Sequence, residues 1–167
     1  VDTAINLLQS AGFEAYAVGG CVRDSLLGKT PNDWDITTSA KPEDMKSVFA
    51  DFHCIDTGIK HGTVTVVIDG EPLEITTFRL DGEYEDNRHP KSVTFTADLG
   101  ADLGRRDFTV NAMAYSKMTG TVDLFDGQND LKNKIIRCVG DPDRRFNEDA
   151  LRILRALRFA SALDFEI

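Results

Sequence analysis

The chain has 167 residues, of which 41% are hydrophobic and 28% are charged, and it carries a formal net charge of −9. This length and composition are typical of one globular domain with room for the start of a second. No apolar run approaches the roughly 20 residues of a membrane span, and the first residues lack the pattern of a secretion signal. The acidic balance argues against a surface that coats nucleic acid, so a polyanion partner would need a local basic cluster, a metal or sequence outside this chain.

The chain contains three cysteines, Cys21, Cys54 and Cys138, which are far apart in the sequence. An odd and widely spaced set does not form a disulfide framework, and it lacks the short spacing of a zinc site. We therefore expect reduced thiols and a cytoplasmic protein with no membrane partner.

The N-terminal third predicts an alternation of helix and strand. Residues 2–11 have apolar positions at helical spacing, and Gly12 ends that helix. Pro42 stands near the first turn of a later predicted helix, where its missing N–H is tolerated. The predicted elements of this part are a helix over 2–11, a strand over 14–20, a helix over 21–28, a strand over 33–39 and a helix over 41–51.

The middle of the chain predicts a β-hairpin. Two β-rich runs within residues 62–79 flank Asp69-Gly70, which is a strong turn signal. Residues 81–91 carry many charges, a glycine and a proline, and they predict a mobile loop before a strand over 92–97. Because a central hairpin makes the sheet mixed or antiparallel, we assign the fold class α+β.

The C-terminal part of the sequence predicts a domain boundary near residues 135–142. The predicted elements are a turn and helix over 102–116, a short strand and turn over 120–127 and one long helix over 143–163. We divide the chain into a domain over 1–140 and the start of a helical domain over 141–167, and we expect it to be the head of a longer helical protein.

Three acidic residues indicate a metal site. Asp33 and Asp35 are separated by one residue, so on a strand their side chains would point to the same face. Two adjacent carboxylates repel each other unless a cation lies between them, and oxygen ligands suit Mg²⁺. Glu74 is a third acid in an apolar strand, where it is costly unless it also faces a metal. The set predicts a metal-dependent phosphoryl-transfer site, and a solvated surface turn is the alternative.

A glycine pair indicates a phosphate-binding turn. Gly19 and Gly20 lie between a predicted strand and a predicted helix, where glycines let backbone N–H groups approach an anion. Arg23 follows one helical turn later and can add a charge-assisted contact to the same anion. A tight strand-to-helix turn without a ligand is the alternative.

The last predicted helix carries Asp149, Arg152, Arg155 and Arg158 at every third position, with mostly apolar residues between them. A helix that is apolar on most sides should be buried, so its guanidinium groups should face a polar cleft. Asp149 and Arg152 are close enough on a helix to pair, and a rigid pair of this kind can read the edge of a base. A solvated charged face is the alternative.

The stretch RRDFTVNAMA contributes Arg105, Arg106, Asp107 and Asn111. Its spacing alone leaves open a helix N-terminus capped by Asp107 or a basic spot on the surface.

Taken together, these segments resemble the catalytic head of the bacterial CCA-adding enzymes, the class II tRNA nucleotidyltransferases, which share this head with bacterial poly(A) polymerases. The resemblance covers nearly the whole chain, and its motifs follow the order of the family. The motifs are GGCVRDSLLGKTPNDWDI, LEITTFR, DGEYEDNRHPKSVTF, RRDFTVNAMA, DLFDGQNDL and EDALRILRALRF.

The resemblance implies a polymerase-β-type nucleotidyltransferase head, a small mixed sheet flanked by helices, followed by the start of an all-helical neck. By match, Asp33 and Asp35 would hold Mg²⁺ and Glu74 would be a third catalytic carboxylate. Gly20 and Arg23 would bind the triphosphate, and Arg106 would also contact the nucleotide. Asp149 and Arg152 would pair with the base, and Arg155 and Arg158 would support the site.

The implied reaction is the addition of CCA to the tRNA 3′ end. The terminal 3′-hydroxyl would attack the α-phosphorus of CTP or ATP in line, and pyrophosphate would leave. The resemblance also leaves open an A-adding enzyme, a CC-adding enzyme and a poly(A) polymerase, although the loop at 81–91 favours complete CCA addition because CC-adding relatives tend to lack a functional loop. The alternative of another class is an inactive nucleotide- or RNA-binding module. The oligomeric state is not predicted.

Overall fold

The computed structural model describes residues 1–82 and 92–167, and helices alternate with strands along most of that length. The strands are β1 (Ala15–Val18), β2 (Asp35–Thr38), β3 (His53–Gly58), β4 (Thr63–Ile68), β5 (Glu71–Thr77), β6 (Arg79–Asp81), β7 (Val93–Phe95), β8 (Met113–Ser116) and β9 (Gly120–Asp123). The helices are α1 (Asp2–Ser10), α2 (Gly20–Leu26), α3 (Pro42–Val48), α4 (Leu99–Gly104), α5 (Gly127–Asn133), α6 (Pro142–Glu148) and α7 (Leu151–Leu163). Short 3₁₀ helices occupy Ile59–His61 and Thr109–Asn111.

A mixed sheet of seven strands has the order β3-β4-β5-β2-β1-β8-β9. β2 and β5 are parallel, and the other neighbouring strands of this sheet are antiparallel. The predicted hairpin joins β4 to β5 through Asp69 and Gly70, whose φ values of 54° and 84° suit a type I′ turn. β6 and β7 form a separate antiparallel pair. The α+β prediction and the hairpin are both confirmed.

The residues of β1 show that the sheet separates two apolar clusters. Ala15 and Ala17 belong to the larger cluster, which includes side chains from α1 and α3. Tyr16 and Val18 belong to the smaller one, which includes Leu103 of α4. This division follows from the alternation of side chains along a strand, and it explains why all four residues of β1 are buried.

The same alternation places the predicted acids on the face of the sheet that α4 covers. Ile36 of β2 and Ile75 of β5 belong to the larger cluster. Asp35, Thr37 and Glu74, which flank them in sequence, therefore point to the opposite face.

The single long helix predicted over 143–163 is wrong, because α6 and α7 are separate helices. Asp149 lies between them with an extended backbone, at φ −142° and ψ 99°. Its Oδ1 accepts a hydrogen bond from the N–H of Leu151 at 3.0 Å. An aspartate that binds backbone N–H groups of the following segment favours a helix start over a helix interior.

The helix predicted within 102–116 is also wrong, because after Gly104 this stretch contains only the short 3₁₀ helix Thr109–Asn111. α4 ends at Gly104, and the residues from Met113 form β8. β8 pairs with β1 and with β9, so pairing between distant segments overrides the local pattern here. β3 and α5 have no counterpart among the predicted elements.

The predicted loop at 81–91 lies outside the described residues apart from Asp81, which ends β6, and Gly82. The boundary placed at residue 140 stays a prediction. None of the described helices has both the length and the hydropathy that crossing a membrane requires.

Candidate active site

A cleft of about 500 Å³ lies where the start of α2, the start of β2 and one face of α7 meet. Asp35 lines this cleft together with all the predicted nucleotide-binding residues, which are Gly20, Arg23, Arg106, Asp149, Arg152, Arg155 and Arg158. Asp33 and Glu74 line an adjacent cleft of about 770 Å³, to which Asp35 also belongs. The structure therefore brings all the predicted site residues to one region, with Asp35 at the junction of the two clefts.

The three predicted acids lie at the edge where the two clefts meet. Asp35 and Glu74 are register partners on the parallel strands β2 and β5. Asp33 precedes β2 instead of lying within it as predicted, yet it lines the same cleft as the other two. All three residues are exposed, and no residue that the structure describes forms a hydrogen bond or an ion pair with their carboxylates.

The surroundings of Asp35 disfavour its charged form. Although the residue is exposed, nearby protein atoms limit the access of water to its carboxyl group, which raises its pKa. The guanidinium of Arg106 lowers the pKa, and the carboxylate of Asp33 raises it again. A cation bound between the two aspartates would relieve this repulsion.

The available oxygen atoms fit a hard divalent cation. Mg²⁺ commonly binds through one or two carboxylates and completes its coordination with substrate phosphates. Across residues 1–82 and 92–167, no three His, Cys, Asp or Glu side chains are placed together to hold a metal ion. A Mg²⁺ ion bound to Asp33 and Asp35 would complete its coordination with further oxygen atoms, such as those of water or of substrate phosphates.

The glycine pair allows arginine side chains to approach the backbone at the start of α2. Gly19 has a φ of 81°, and a Cβ atom there would lie 3.2 Å from Nη1 of Arg106. The positive φ favours glycine here, and a Cβ atom would also require the Arg106 side chain to shift slightly. Arg23 is fixed nearby, since its Nη1 donates to Oδ1 of Asn111 at 2.7 Å and its Nε to Oδ1 of Asp24 at 2.9 Å.

Three guanidinium groups of the cleft surround the ring of Phe159. The Cζ atoms of Arg23, Arg155 and Arg158 lie 5.2, 5.3 and 4.8 Å from the ring centroid, within the range of cation–π attraction. Phe108 packs edge-on against this ring at a centroid distance of 5.9 Å. Phe159 thus stabilises three like charges on one wall, a role that its position in the sequence did not indicate.

Arg152 is held by more partners than the predicted pairing with Asp149. Its Nε lies 3.9 Å from Oδ2 of Asp149, so the predicted ion pair is present but long. Its Nη1 donates to the carbonyl oxygen of Arg145 at 2.9 Å and to Oε2 of Glu148 at 3.1 Å. These contacts leave Arg152 only 5% exposed while it still lines the cleft.

The apolar residues of α7 are divided between the core and an exposed face of the helix. The arginines face the polar cleft as predicted, but Leu154 is 63% exposed and Leu157 is 56% exposed. The prediction that the apolar flanks are buried is therefore wrong for the described residues. The inward face of this helix combines the ion pairs and cation–π contacts of its arginines with apolar packing of Ala156 and Phe159 against the larger cluster.

Two residues of the stretch RRDFTVNAMA complete the cleft. Oδ2 of Asp107 accepts a hydrogen bond from Nε of Arg155 at 2.7 Å, and Oδ1 accepts from Nδ2 of Asn111 at 3.2 Å. Asp107 therefore binds an arginine of α7 in addition to the backbone N–H of Phe108. Sequence reasoning did not assign either residue to the site, although their nearness to Arg106 was a usable signal.

Comparisons with known proteins place this geometry in a family. A family profile for the poly A polymerase head domain matches residues 15–137. The CCA-adding enzyme of Lactobacillus helveticus is 58% identical over 163 residues, and that of Pediococcus pentosaceus is 54% identical over 160 residues. These alignments cover 98% and 96% of this chain but 40% of each relative. The chain therefore spans about two fifths of the length of the relatives that it matches.

Solved structures of similar proteins share the fold. The crystal structure of the Bacillus stearothermophilus CCA-adding enzyme in complex with CTP gives a TM-score of 0.88 at 47% identity, covering 98% of this chain and 39% of that one. A tRNA nucleotidyltransferase complexed with a primer tRNA and an incoming ATP analog gives 0.76 at 35% identity, covering 98% and 46%. The predicted head fold and the resemblance to CCA-adding enzymes are confirmed. We conclude that the chain belongs to the family of poly A polymerase head domains.

Proposed function

We propose that the chain is the catalytic head of a tRNA nucleotidyltransferase, which adds CCA to the tRNA 3′ end from CTP and ATP and releases pyrophosphate. The observation that carries the proposal is the single cleft in which Asp35 faces the arginines of α2 and α7. Relatives that are CCA-adding enzymes support it, as do similar structures with CTP or with a primer tRNA and an ATP analog.

The two ends of the cleft would bind different parts of the nucleotide. Arg23 and Arg106 lie beside the start of α2 and would bind the triphosphate through charge-assisted hydrogen bonds. Asp149 and Arg152 would present an acceptor and donors to the edge of the base. Both arginines at the triphosphate end are already held by neighbouring side chains, which limits the reorganisation that binding requires.

Asp33 and Asp35 would hold Mg²⁺, with Glu74 as the neighbouring third carboxylate. A bound Mg²⁺ supplies Lewis-acid stabilisation of phosphate charge and a lower pKa for the attacking hydroxyl. The tRNA 3′-hydroxyl attacks the α-phosphorus in line, and Arg23 and Arg106 stabilise the charge of the departing pyrophosphate.

The state of the cysteines supports a cytoplasmic setting, where tRNA is processed. Cys21, Cys54 and Cys138 are all free thiols, as expected for a protein kept in a reducing compartment.

A poly(A) polymerase is the second candidate, because the matching family profile is that of the poly A polymerase head domain. Both enzymes would use the same carboxylates and the same triphosphate contacts. They differ in the substrate, since a poly(A) polymerase extends general RNA with ATP alone.

The test is nucleotide incorporation by the full-length protein with CTP and ATP. The RNA substrates are tRNA lacking CCA, tRNA ending in CC and a general RNA of similar length. We expect two C and one A on the first, one A on the second and none on the third. Extension of the general RNA by ATP alone would establish the poly(A) polymerase, and absence of incorporation on all three would leave only the binding module.

A matched pair of variants connects the activity to the carboxylates. Asp35→Asn should lower the rate of incorporation by a factor on the order of 10³, the scale of a lost metal-ion contribution. Asp51→Asn makes the same change at an exposed position after α3 and should leave the rate unchanged. If both variants keep normal rates, the assignment of Asp35 is wrong.

A further inference from the structure

One fully buried carboxylate lies behind the cleft without any role in the proposed reaction. Asp102 of α4 is 0% exposed. Its Oδ1 accepts hydrogen bonds from Nε of Arg105 at 2.9 Å and from the backbone N–H of Arg79 at 3.2 Å. Its Oδ2 accepts from Oγ1 of Thr37 at 3.0 Å and lies 3.5 Å from Nη2 of Arg106. A buried carboxylate is costly unless it is paired in this way.

The partners of Asp102 connect it to both strands that carry the predicted acids. Thr37 is two residues after Asp35 on β2, so the two side chains lie on the same face of the sheet. Arg79 follows two residues after the end of β5, the strand of Glu74. Asp102 therefore links α4 to the sheet directly behind the acids.

The opposite side of Arg106 is confined by the backbone. Its Nη1 approaches Gly19 so closely that a Cβ atom there would lie 3.2 Å away. The guanidinium is thus held between Asp102 on one side and the start of α2 on the other. Its backbone carbonyl also accepts a hydrogen bond from Nη2 of Arg145 at 2.7 Å, which fixes the main chain of Arg106 as well.

We propose that Asp102 is a positioning residue, which fixes the guanidinium of Arg106 relative to the strand of Asp35 so that it meets the triphosphate of the incoming nucleotide. This inference rests on the proposed function, in which Arg106 binds that triphosphate. It adds a residue that touches neither nucleotide nor metal but determines where a binding group points.

The sign of the effect separates positioning from simple electrostatics. Asp102→Asn removes a negative charge beside Arg105 and Arg106 and makes the cleft more positive. If charge alone mattered, a triphosphate would bind more tightly to this variant. If Asp102 acts by positioning, the triphosphate binds more weakly in spite of the added positive potential.

The experiment measures the affinity of the full-length protein for CTP, ATP and inorganic tripolyphosphate by calorimetry, in the absence of tRNA. For Asp102→Asn we expect binding to weaken about tenfold, the scale of one charge-assisted hydrogen bond. The loss should be equal for CTP and ATP and should also appear with tripolyphosphate, because Arg106 is placed at the phosphate end and not at the base. Unchanged or tighter binding by Asp102→Asn would overturn the proposal.

Asp130→Asn is the matched control. Asp130 is 2% exposed and, like Asp102, accepts from a threonine and an arginine, here Thr109 at 2.7 Å and Arg137 at 3.1 Å. It does not line the cleft. Asp130→Asn should lower the thermal stability but bind all three ligands normally. If both variants bind the ligands more weakly, Asp102 has only a structural role and the proposal is wrong.

Two further variants keep the test decisive if Asp102→Asn does not fold. Thr37→Val removes one hydrogen bond from Asp102 and keeps its charge, so the affinity should fall by a few-fold. When Arg106 is already replaced by Gln, the additional change Thr37→Val should not weaken nucleotide binding further. If the double variant shows the full loss of affinity from both changes, Asp102 does not act through Arg106. If the unchanged protein binds neither CTP nor ATP, the proposed function is wrong. If the unchanged protein binds them and the variants bind equally well, only the role of Asp102 is wrong.

Discussion

Arg152 enters the cleft with its guanidinium already held on one side. The carbonyl oxygen of Arg145 and the carboxylate of Glu148 both accept from Nη1, and Asp149 lies 3.9 Å from Nε. A planar donor held in this way presents a fixed pattern to a base instead of adapting to any base. Rigid hydrogen-bonding patterns are the arrangement that rejects wrong substrates most strongly, because a mismatch leaves polar groups unpaired.

Arg152→Ala should therefore damage nucleotide choice more than nucleotide binding. We expect the preference for CTP and ATP over GTP and UTP, measured as a ratio of kcat/KM, to fall by about 10²-fold. Affinity for inorganic tripolyphosphate should stay close to normal. Arg144→Ala is the control, since that side chain is 78% exposed and also pairs with Glu148. Equal losses for all four nucleotides would contradict a role for Arg152 in reading the base.

Glu148 makes the stability of this region depend on pH. Burial opposes ionisation of Glu148, but hydrogen bonds from Arg152 and Arg144 and the charge of Arg145 outweigh it and hold its pKa below the ordinary value of 4.5. A carboxylate with a lowered pKa in the folded state stabilises the fold above its unfolded pKa, and this contribution is lost as pH falls through the folded pKa. Glu148→Gln should thus lower the melting temperature at pH 7, and the difference from the unchanged protein should shrink below pH 4.5. Melting curves between pH 7 and pH 3 measure it, and a constant difference would contradict the assignment.

Arg145 of α6 connects the junction between α6 and α7 to the segment that carries Arg105 and Arg106. Nη2 of Arg145 donates to the carbonyl oxygens of Arg105 and Arg106, and its Nη1 donates to Glu148 at 2.6 Å. Its own carbonyl oxygen accepts from Arg152. Arg145 therefore connects Arg106, which we propose binds the triphosphate, to Arg152, which we propose binds the base. No motif spacing indicated this role.

Arg145→Lys keeps the charge but removes the planar fork that reaches several acceptors at once. We expect the free energy of unfolding to fall by about 1–3 kcal/mol, and KM for both CTP and ATP to rise. Arg144→Lys makes the same change one residue earlier, at a side chain that is 78% exposed, and should alter neither quantity. Denaturant unfolding and steady-state kinetics of the two variants measure the contrast. A stable Arg145→Lys with normal KM values would show that the fork is dispensable.

The sequence predicted those features whose structure is determined by residues close together in the chain. The turn at Asp69-Gly70 and the arginine face of α7 follow from residue types and spacing alone. The break at Asp149 was missed because the helical period continues across it, and only its capping bond to the next helix reveals it. Asp102 was missed because its partners Thr37 and Arg79 are brought to it by the sheet. Pairing of distant segments likewise determines β3 and β8.

The charges of the whole molecule are distributed very unevenly. The protein has a net charge of −9, yet seven of its arginines line the cleft, namely Arg23, Arg79, Arg105, Arg106, Arg152, Arg155 and Arg158. Aspartates hold several of them in place, as Asp107 holds Arg155. The local basic cluster that an acidic protein needs for a polyanionic ligand is therefore present within this chain.

Substitution of Arg158 tests whether the arginines of the cleft attract the nucleotide through their electrostatic field. The residue is exposed, and within the described residues no carboxylate forms an ion pair with it, so its charge is available to a triphosphate. Arg158→Gln should weaken CTP and ATP binding several-fold at low ionic strength, and the difference should nearly vanish in 1 M salt, where the Debye length is about 3 Å. Arg155→Gln should instead weaken binding at both salt concentrations and lower the melting temperature, because it leaves the carboxylate of Asp107, 9% exposed, without its arginine. Lys132→Gln, which removes an exposed charge outside the cleft, should change neither the affinity nor the melting temperature.

Calorimetry at several salt concentrations measures these affinities. If Arg158→Gln weakens binding equally at all salt concentrations, Arg158 acts by direct contact with the nucleotide and not through the electrostatic field.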